Sequence, residues 1–315
     1  MNGRIDLGVK KRYGFWTDIR KNPLSYLLLL PAALYTVIFG YLTIPYMLSA
    51  FQKFNYRKGL FGSEWIGLAN FEFFFKSNAA SRVIWNTVRL NLCFIVCTLA
   101  LSVLVAILLN ELRGKRFKKM IQSTYLIPYF LSWVVINYVV YTLTSTNYGI
   151  INTARELLNL PPLNFYTDGS AWPTILVIAK VWKDMGMNIV IYLAVITGFD
   201  PQIYEAAMID GAGRFRACIS ITLRLLLPTV SMLTIMSVGK MFYGDFGMIY
   251  ALVGDNGLLQ KTTDVIDTYV FRTLRTTGNP SQAMAISLFQ SVLGFLAVFT
   301  ANWFARKKFS DGALF

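Results

Sequence analysis

The chain has 315 residues, of which 55% are hydrophobic, 15% aromatic and 15% charged. Soluble domains carry about 25% charged residues, so this composition excludes an ordinary soluble enzyme and points to an integral membrane protein. The formal net charge of +14 does not imply nucleic acid, because no soluble basic domain carries it and cytoplasmic loops of membrane proteins collect Lys and Arg.

The first 22 residues read as a basic tail, and the uncharged run from Asn22 to Gln52 is far too long for the apolar core of a signal peptide. A bilayer is crossed by about 20 mostly apolar residues, and six stretches qualify: about 24–50, 84–110, 120–143, 172–197, 225–250 and 281–305. The expected organisation is therefore all-α, with a tail at 1–22, a six-helix transmembrane domain over 23–305 and a second tail at 306–315. Lys and Arg number six in the N-terminal tail, five over 111–119, three over 198–224 and three after the last span. The alternate loops 52–82, 144–171 and 254–280 hold five, one and three. This bias places both termini, and the 198–224 loop, in the cytoplasm. Trp85, Trp172 and Trp303 fall at span ends, where amphipathic rings favour the interface.

Within the 52–82 loop, FGSEWIGLANFEFFF is too polar to span and too aromatic for a slack linker, so it reads as a packed extracytoplasmic cap. In the second span, Cys93 and Cys97 lie one turn apart. Together with Cys218 they read as buried apolar thiols, and since the chain has no histidine they lack the ligands for a zinc site. The absence of histidine also excludes a Ser-His-Asp triad. No metal site and no G-x-x-x-x-G-K-[ST] phosphate loop is present, so any ATP is held by another chain.

Span four supplies the best candidates for a polar path. Lys180, Asp184, Asn188 and Tyr192 recur every four residues and form a slowly drifting stripe on one helical face. Ionisable groups at membrane depth are costly and face a bundle interior or a water-filled cavity. The stripe therefore reads either as a path lining, with Lys183 beside it and Trp182 and Tyr192 as stacking surfaces, or as an ion pair of Lys180 with Asp184 that ties helices together. Span five adds Lys240, Tyr243 and Asp245 beside Gly239, Gly244 and Gly247, while Asn91 and Asn137 are weaker candidates. Lys180, Lys183 and Lys240 together favour an anionic solute, which for a sugar would mean an acidic oligosaccharide such as a uronate fragment.

Between these spans stands YEAAMIDGAGRFRACISITLRLLLP (204–228). Asp200 is placed to cap a short helix that opens on Pro201. Gly211-Ala212-Gly213 permits a sharp reversal, because glycine tolerates positive φ, and Arg214 begins a second short helix. Glu205-Ala206-Ala207, three residues, Gly211, nine residues and Ile221-Thr222-Leu223 resemble the EAA motif of ABC importer permeases. The stretches LLNELRGKRFKKMIQSTYLIPYFLSWVV (108–135) and DVIDTYVFR (264–272) are similar to the LplB-like oligosaccharide branch of the maltose-transporter type. Arg224 stands where that motif has proline, so the fifth span either starts differently or uses Pro228 in its place.

The resemblance implies a type I importer permease fold in the bacterial cytoplasmic (inner) membrane. It implies a second homologous permease, two ATP-binding subunits that hold ATP and Mg, and an extracytoplasmic oligosaccharide-binding protein. Glu205, Ala206, Ala207, Asp210, Gly211, Gly213 and Arg214 would form the ATPase-coupling element, and the chain would be a transport subunit rather than an enzyme. The rival readings are an ion-driven secondary sugar transporter and a membrane enzyme acting on lipid-linked sugars.

Overall fold

A computed structural model describes residues 14–112 and 114–308. The basic residues counted at Arg4, Lys10, Lys11, Arg12 and Arg113 lie outside these, as does the tail after Lys308. A short helix α1 (Phe15–Lys21) leads through Asn22 into α2 (Pro23–Thr36), and a π-helical turn (Val37–Tyr41) and a 3₁₀ segment (Ile44–Phe51) extend it. No residue of α2 is buried, so this leucine-rich rod stands apart from the rest of the chain until Ser49 and Ala50.

The 52–82 stretch folds as a packed cap. Strand β1 (Gln52–Lys53) pairs antiparallel with β2 (Glu64–Trp65), with α3 (Gly59–Gly62) between them and α4 (Ala69–Phe75) after. The buried Asn70 amide donates to the carbonyls of Ala50 and Gln52, 2.9 Å each, which fixes α4 against the end of the first span. Phe74 is buried against the rings of Tyr269 and Phe289.

Helix α5 (Ala80–Glu111) is an unbroken 32-residue span. The predicted third span, 120–143, is not one helix. Helices α6 (Lys115–Phe130) and α7 (Trp133–Thr144) meet at a 101° bend. Pro128 removes a donor near the end of α6, Leu131 and Ser132 are extended, and the Ser132 hydroxyl caps α7 by accepting from the Val135 N–H.

A loop carrying α8 (Ile150–Leu157) leads to α9 (Trp172–Thr197), whose limits match the predicted fourth span. Helix α9 packs along both α5 and α6 and contributes Leu176 and Ala179 to one core cluster and Val181, Ile189 and Leu193 to another. Between helices in lipid there is little hydrophobic driving force, so close packing supplies much of the adhesion. Gly186 shows how close: a Cβ there would lie 2.0 Å from the Tyr125 carbonyl oxygen.

After α10 (Pro201–Ile209), α11 (Arg214–Ala217) runs through a π-helical turn (Cys218–Thr222) into α12 (Leu223–Val238). Arg214–Val238 is thus one 25-residue helical stretch. The helix that carries the expected fifth span therefore starts at Arg214, not 225, and Arg224 and Pro228 are both interior to it. No proline is needed at 224 because no helix opens there. The span also ends early: the chain leaves the helix over 239–245 before α13 (Phe246–Val253). Helices α14 (Gln260–Thr263), α15 (Ile266–Thr277) and α16 (Pro280–Lys308) complete the chain.

By length and composition, Pro23–Phe51, Ala80–Glu111, Arg214–Val238 and Pro280–Lys307 can each cross a bilayer, and the bent α6–α7 pair makes five. Helix α9 is long enough but carries Lys180, Lys183 and Asp184. Two smaller expectations change. Trp172 is fully buried, its indole N–H donating to the Phe165 carbonyl, so it is no interfacial ring. The cysteines are not buried thiols, since Cys93 is exposed and Cys97 and Cys218 are partly so.

Candidate functional site

A cavity of about 570 Å³ opens between α5, α9, the end of α12 and the segment that follows it. Seven of the nine residues singled out for a polar path line it: Lys180, Asp184, Asn188, Tyr192, Lys240, Tyr243 and Asp245. The four-residue spacing on α9 brings the first four to one wall, and the irregular 239–245 segment brings the other three opposite.

Lys180 is the centre of this wall. Its ammonium lies 2.8 Å from Asp184 Oδ2 and 2.7 Å from Asp245 Oδ2, and its side chain is 21% exposed. An ion set this sheltered persists because each charge is paired, and removing one partner strands the others. The other oxygen of Asp245 accepts from the Met248 N–H at 3.0 Å and caps α13. The Lys180 charge is therefore more than offset within the chain, the two aspartates leaving the set one net negative charge. Lys240, by contrast, is exposed to the cavity and makes no ion pair among the described residues. Tyr192 is 1% exposed and packs in the core with Leu193 and Leu226, so it offers an edge of the wall more than an open stacking face.

Lys183 and Trp182 are outside the lining. Lys183 turns to the bend between α6 and α7, donating to the carbonyls of Tyr129, at 2.8 Å, and of Leu131. A cation at a helix C-terminus offsets the partial negative charge of carbonyls that lack helical partners. Its ammonium also sits 5.4 Å from the Trp133 ring centroid. Trp182 is 40% exposed elsewhere on α9. The lining adds Asn91, Thr98, Tyr129 and Ser237, of which only Asn91 stood out in the sequence, as a lone amide in an apolar run.

The 198–213 loop is built differently. Asp200 caps α10 by accepting from the Gln202 N–H at 2.9 Å, with Pro201 at the first helical position. The helix ends where Gly211 adopts φ +79°, with the Gly211 N–H on the Met208 carbonyl and the Ala212 N–H on the Ala207 carbonyl. That pair of bonds is the Schellman arrangement, which requires a left-handed residue at this position. Gly213 then precedes Arg214 at the N-terminus of α11.

Glu205, Ala206, Asp210 and Arg214 are exposed, as are the apolar Met208, Ile209 and Phe215. Only Tyr204 and Ala207 turn partly inward on α10, and the Tyr204 hydroxyl lies 3.0 Å from Thr222 Oγ1. The surface that results is small, apolar and edged with unpaired charge.

The chain matches the protein family described as "Binding-protein-dependent transport system inner membrane component" over residues 98–310. It is 33% identical to Protein LplB of Bacillus subtilis over 305 residues, covering 97% of this chain and 95% of that one. It is 32% identical to the polygalacturonan/rhamnogalacturonan transport system permease protein YteP of the same organism, over 91% of this chain and 89% of that one. Among solved structures it resembles a chain of a bacterial ABC transporter involved in the import of the acidic polysaccharide alginate. There the TM-score is 0.85 and the identity 28%, over 93% of this chain and 99% of the other. A structure of a bacterial alginate ABC transporter with an alginate pentasaccharide-bound periplasmic protein gives a TM-score of 0.84 at 28% identity, over 93% of this chain and 97% of that one.

Proposed function

Because this chain belongs to the family of binding-protein-dependent transport system inner membrane components, we propose that it is a permease subunit that passes acidic oligosaccharides through the membrane at the expense of ATP. The observation that carries the reading is the cavity: one lysine offset by two aspartates, and a second lysine, Lys240, left to meet an anion. The likeness to an importer of a polysaccharide described as acidic supports the same substrate class.

In this reading six crossings place both termini in the cytoplasm, with tails at 1–22 and 306–315. The bent α6–α7 pair is the third crossing. Helix α9 is the fourth, its charges turned to the cavity and to the bend instead of to lipid. The α10 loop docks on an ATP-binding subunit, with Glu205, Ala206, Ala207, Asp210, Gly211, Gly213 and Arg214 at the contact. ATP and Mg belong to that partner, of which the assembly holds two copies. A second permease completes the path and covers the unburied α2, and an extracytoplasmic binding protein delivers the sugar.

Geometry supports a route for coupling. Arg214–Val238 runs unbroken from the loop to the cavity edge, 25 residues or about 37 Å at 1.5 Å per residue. Closure of the ATPases would move α10, and a rod of that length carries the displacement to Lys240 and Tyr243 as a rigid body.

The test is uptake by the reconstituted complex of an alginate trisaccharide against a neutral trisaccharide of matched length. ATP-dependent uptake that favours the acidic sugar, and loses that preference in Lys240→Gln, is the expected result. Since Lys240 has no partner to lose, its substitution changes stability by less than about 0.5 kcal/mol. Uptake that continues without an ATPase, or that is blind to charge in the wild type, overturns the reading.

A further inference from the structure

The break in the fifth span exposes backbone where a membrane protein can least tolerate it. Unsatisfied N–H and C=O groups at membrane depth cost several kcal/mol each, so irregular backbone survives only where protein or a water-filled cavity completes its hydrogen bonds. Over residues 242–244 that completion comes from side chains on three other helices. Gln290 of α16, 3% exposed, donates its amide to the Phe242 carbonyl at 2.7 Å. Asn91 of α5 donates to the Tyr243 carbonyl at 3.1 Å. The Gly244 N–H donates to Asp267 Oδ2, and that same oxygen accepts from Gln290 at 2.8 Å.

Asp267 is the unusual member. It is partly buried, and no cation pairs with it among the described residues. Two neutral donors, the Gly244 N–H and the Gln290 amide, meet on its Oδ2, so that oxygen is committed to holding the break. The approach is close: a Cβ on Gly244 would lie 2.4 Å from Val265 Cγ2 and 3.0 Å from Asp267 Oδ2. Neither Asp267 nor Gln290 lines the cavity, yet the segment they clamp carries Lys240, Tyr243 and Asp245, which do.

We propose that Asp267 and Gln290 are positioning residues for the transported sugar: they fix the backbone break at 239–245 and thereby set where Lys240 presents its ammonium and where the Tyr243 ring, its hydroxyl donating to Ser291 Oγ at 2.9 Å, meets the cavity. This rests on the cavity being the sugar path. It also assigns a task to the DVIDTYVFR stretch (264–272), of which the coupling loop and the cavity lining make no use.

Two measurements on the assembled complex decide it. Hydrogen exchange over 239–245 is expected to rise at least tenfold in Asp267→Ala and in Gln290→Leu, with α9 and the outer half of α16 unchanged. In proteoliposomes supplied with its binding protein, Asp267→Ala should raise the half-saturating concentration of alginate trisaccharide by about tenfold, with a smaller change in maximal rate. Asp267→Asn, which keeps an oxygen for the Gly244 N–H, should recover most of that loss.

A residue that only helped the fold would lower the amount of complex and the maximal rate together, without moving half-saturation, and that pattern overturns the proposal. So does unchanged exchange at 239–245 in either variant. Should Asp267→Ala fail to assemble, Gln290→Leu supplies the same two readings, with Asp267→Asn as the variant expected to stay near wild type. If the wild type takes up no uronate, the functional reading falls first, and exchange at 239–245 still decides whether the clamp exists.

Discussion

The cavity wall and the α10–α11 loop are both polar interruptions in an apolar chain, and they are held in opposite ways. At the wall and just behind it, the charges other than Lys240 have partners within the chain: Lys180 on the lining has two aspartates, and behind the lining Lys183 has the carbonyls at a helix end and Asp267 has two donors. In the loop, Glu205 and Arg214 have none among the described residues, and exposed Met208, Ile209 and Phe215 stand beside them. Among the described residues, its one side-chain hydrogen bond to the helix that follows is Tyr204 to Thr222. A wall whose polar groups are satisfied is preorganised. A loop whose groups are unsatisfied but exposed is stable in water and free to pair with another protein.

This contrast predicts that substitutions in the wall cost stability and substitutions in the loop cost coupling. The largest effect is expected for Lys180→Met, which strands Asp184 and Asp245. Breaking a fully buried set costs about 3–5 kcal/mol, and with 21–29% of each side chain exposed the loss falls at the lower end of that range, read as a fall in the thermal midpoint of the detergent-solubilised protein. Adding Asp184→Asn and Asp245→Asn to that variant should restore part of it. A midpoint equal to wild type in the single variant would remove the distinction between the two regions.

Next comes Gly186→Ala, where the new Cβ meets the Tyr125 carbonyl and forces α6 from α9. Overpacking of this kind costs about 1–3 kcal/mol, again visible in the midpoint. In the loop, Glu205→Ala combined with Gly211→Ala places a non-glycine residue in the left-handed region, a local strain of about 1–2 kcal/mol. The thermal midpoint should fall less than in Gly186→Ala, because the strain sits at one exposed helix end, while copurification of the ATP-binding subunit and ATP-driven uptake are lost. Retained copurification and uptake would mean that this surface is not the docking site. Tyr204→Phe is the smallest, removing one hydrogen bond of about 0.5–1.5 kcal/mol. It should lower sugar transported per ATP hydrolysed without altering assembly, and an unchanged ratio would show that the tie carries no coupling.

Much of this was legible along the chain. Hydropathy runs located α5, α9 and α16 to within a few residues, and the spacing at 200–214 foretold a capped helix, a glycine reversal and a second helix. The stripe Lys180, Asp184, Asn188, Tyr192 did reach one cavity. The misses share a cause. Lys183 lies next to that stripe in sequence, yet its partners are the carbonyls of residues 54 and 52 positions away. Gln290 was not singled out in the sequence at all, because its partner, the Phe242 carbonyl, is 48 positions away. Arg224 looked anomalous only while a helix was expected to start there.

The sequence by itself determined that the chain lives in a membrane, roughly where its long apolar helices lie, and which loop carries the small, charged motif. Those properties are sums and spacings over neighbouring residues, and lipid or water enforces them one segment at a time. Only the tertiary structure decided where the third and fifth spans break, which lysine is paired and which is left open, and what completes the backbone at each break. A carbonyl freed by a bend must be answered at about 3 Å, and the side chain that answers it is chosen by how helices pack, not by where it stands in the chain.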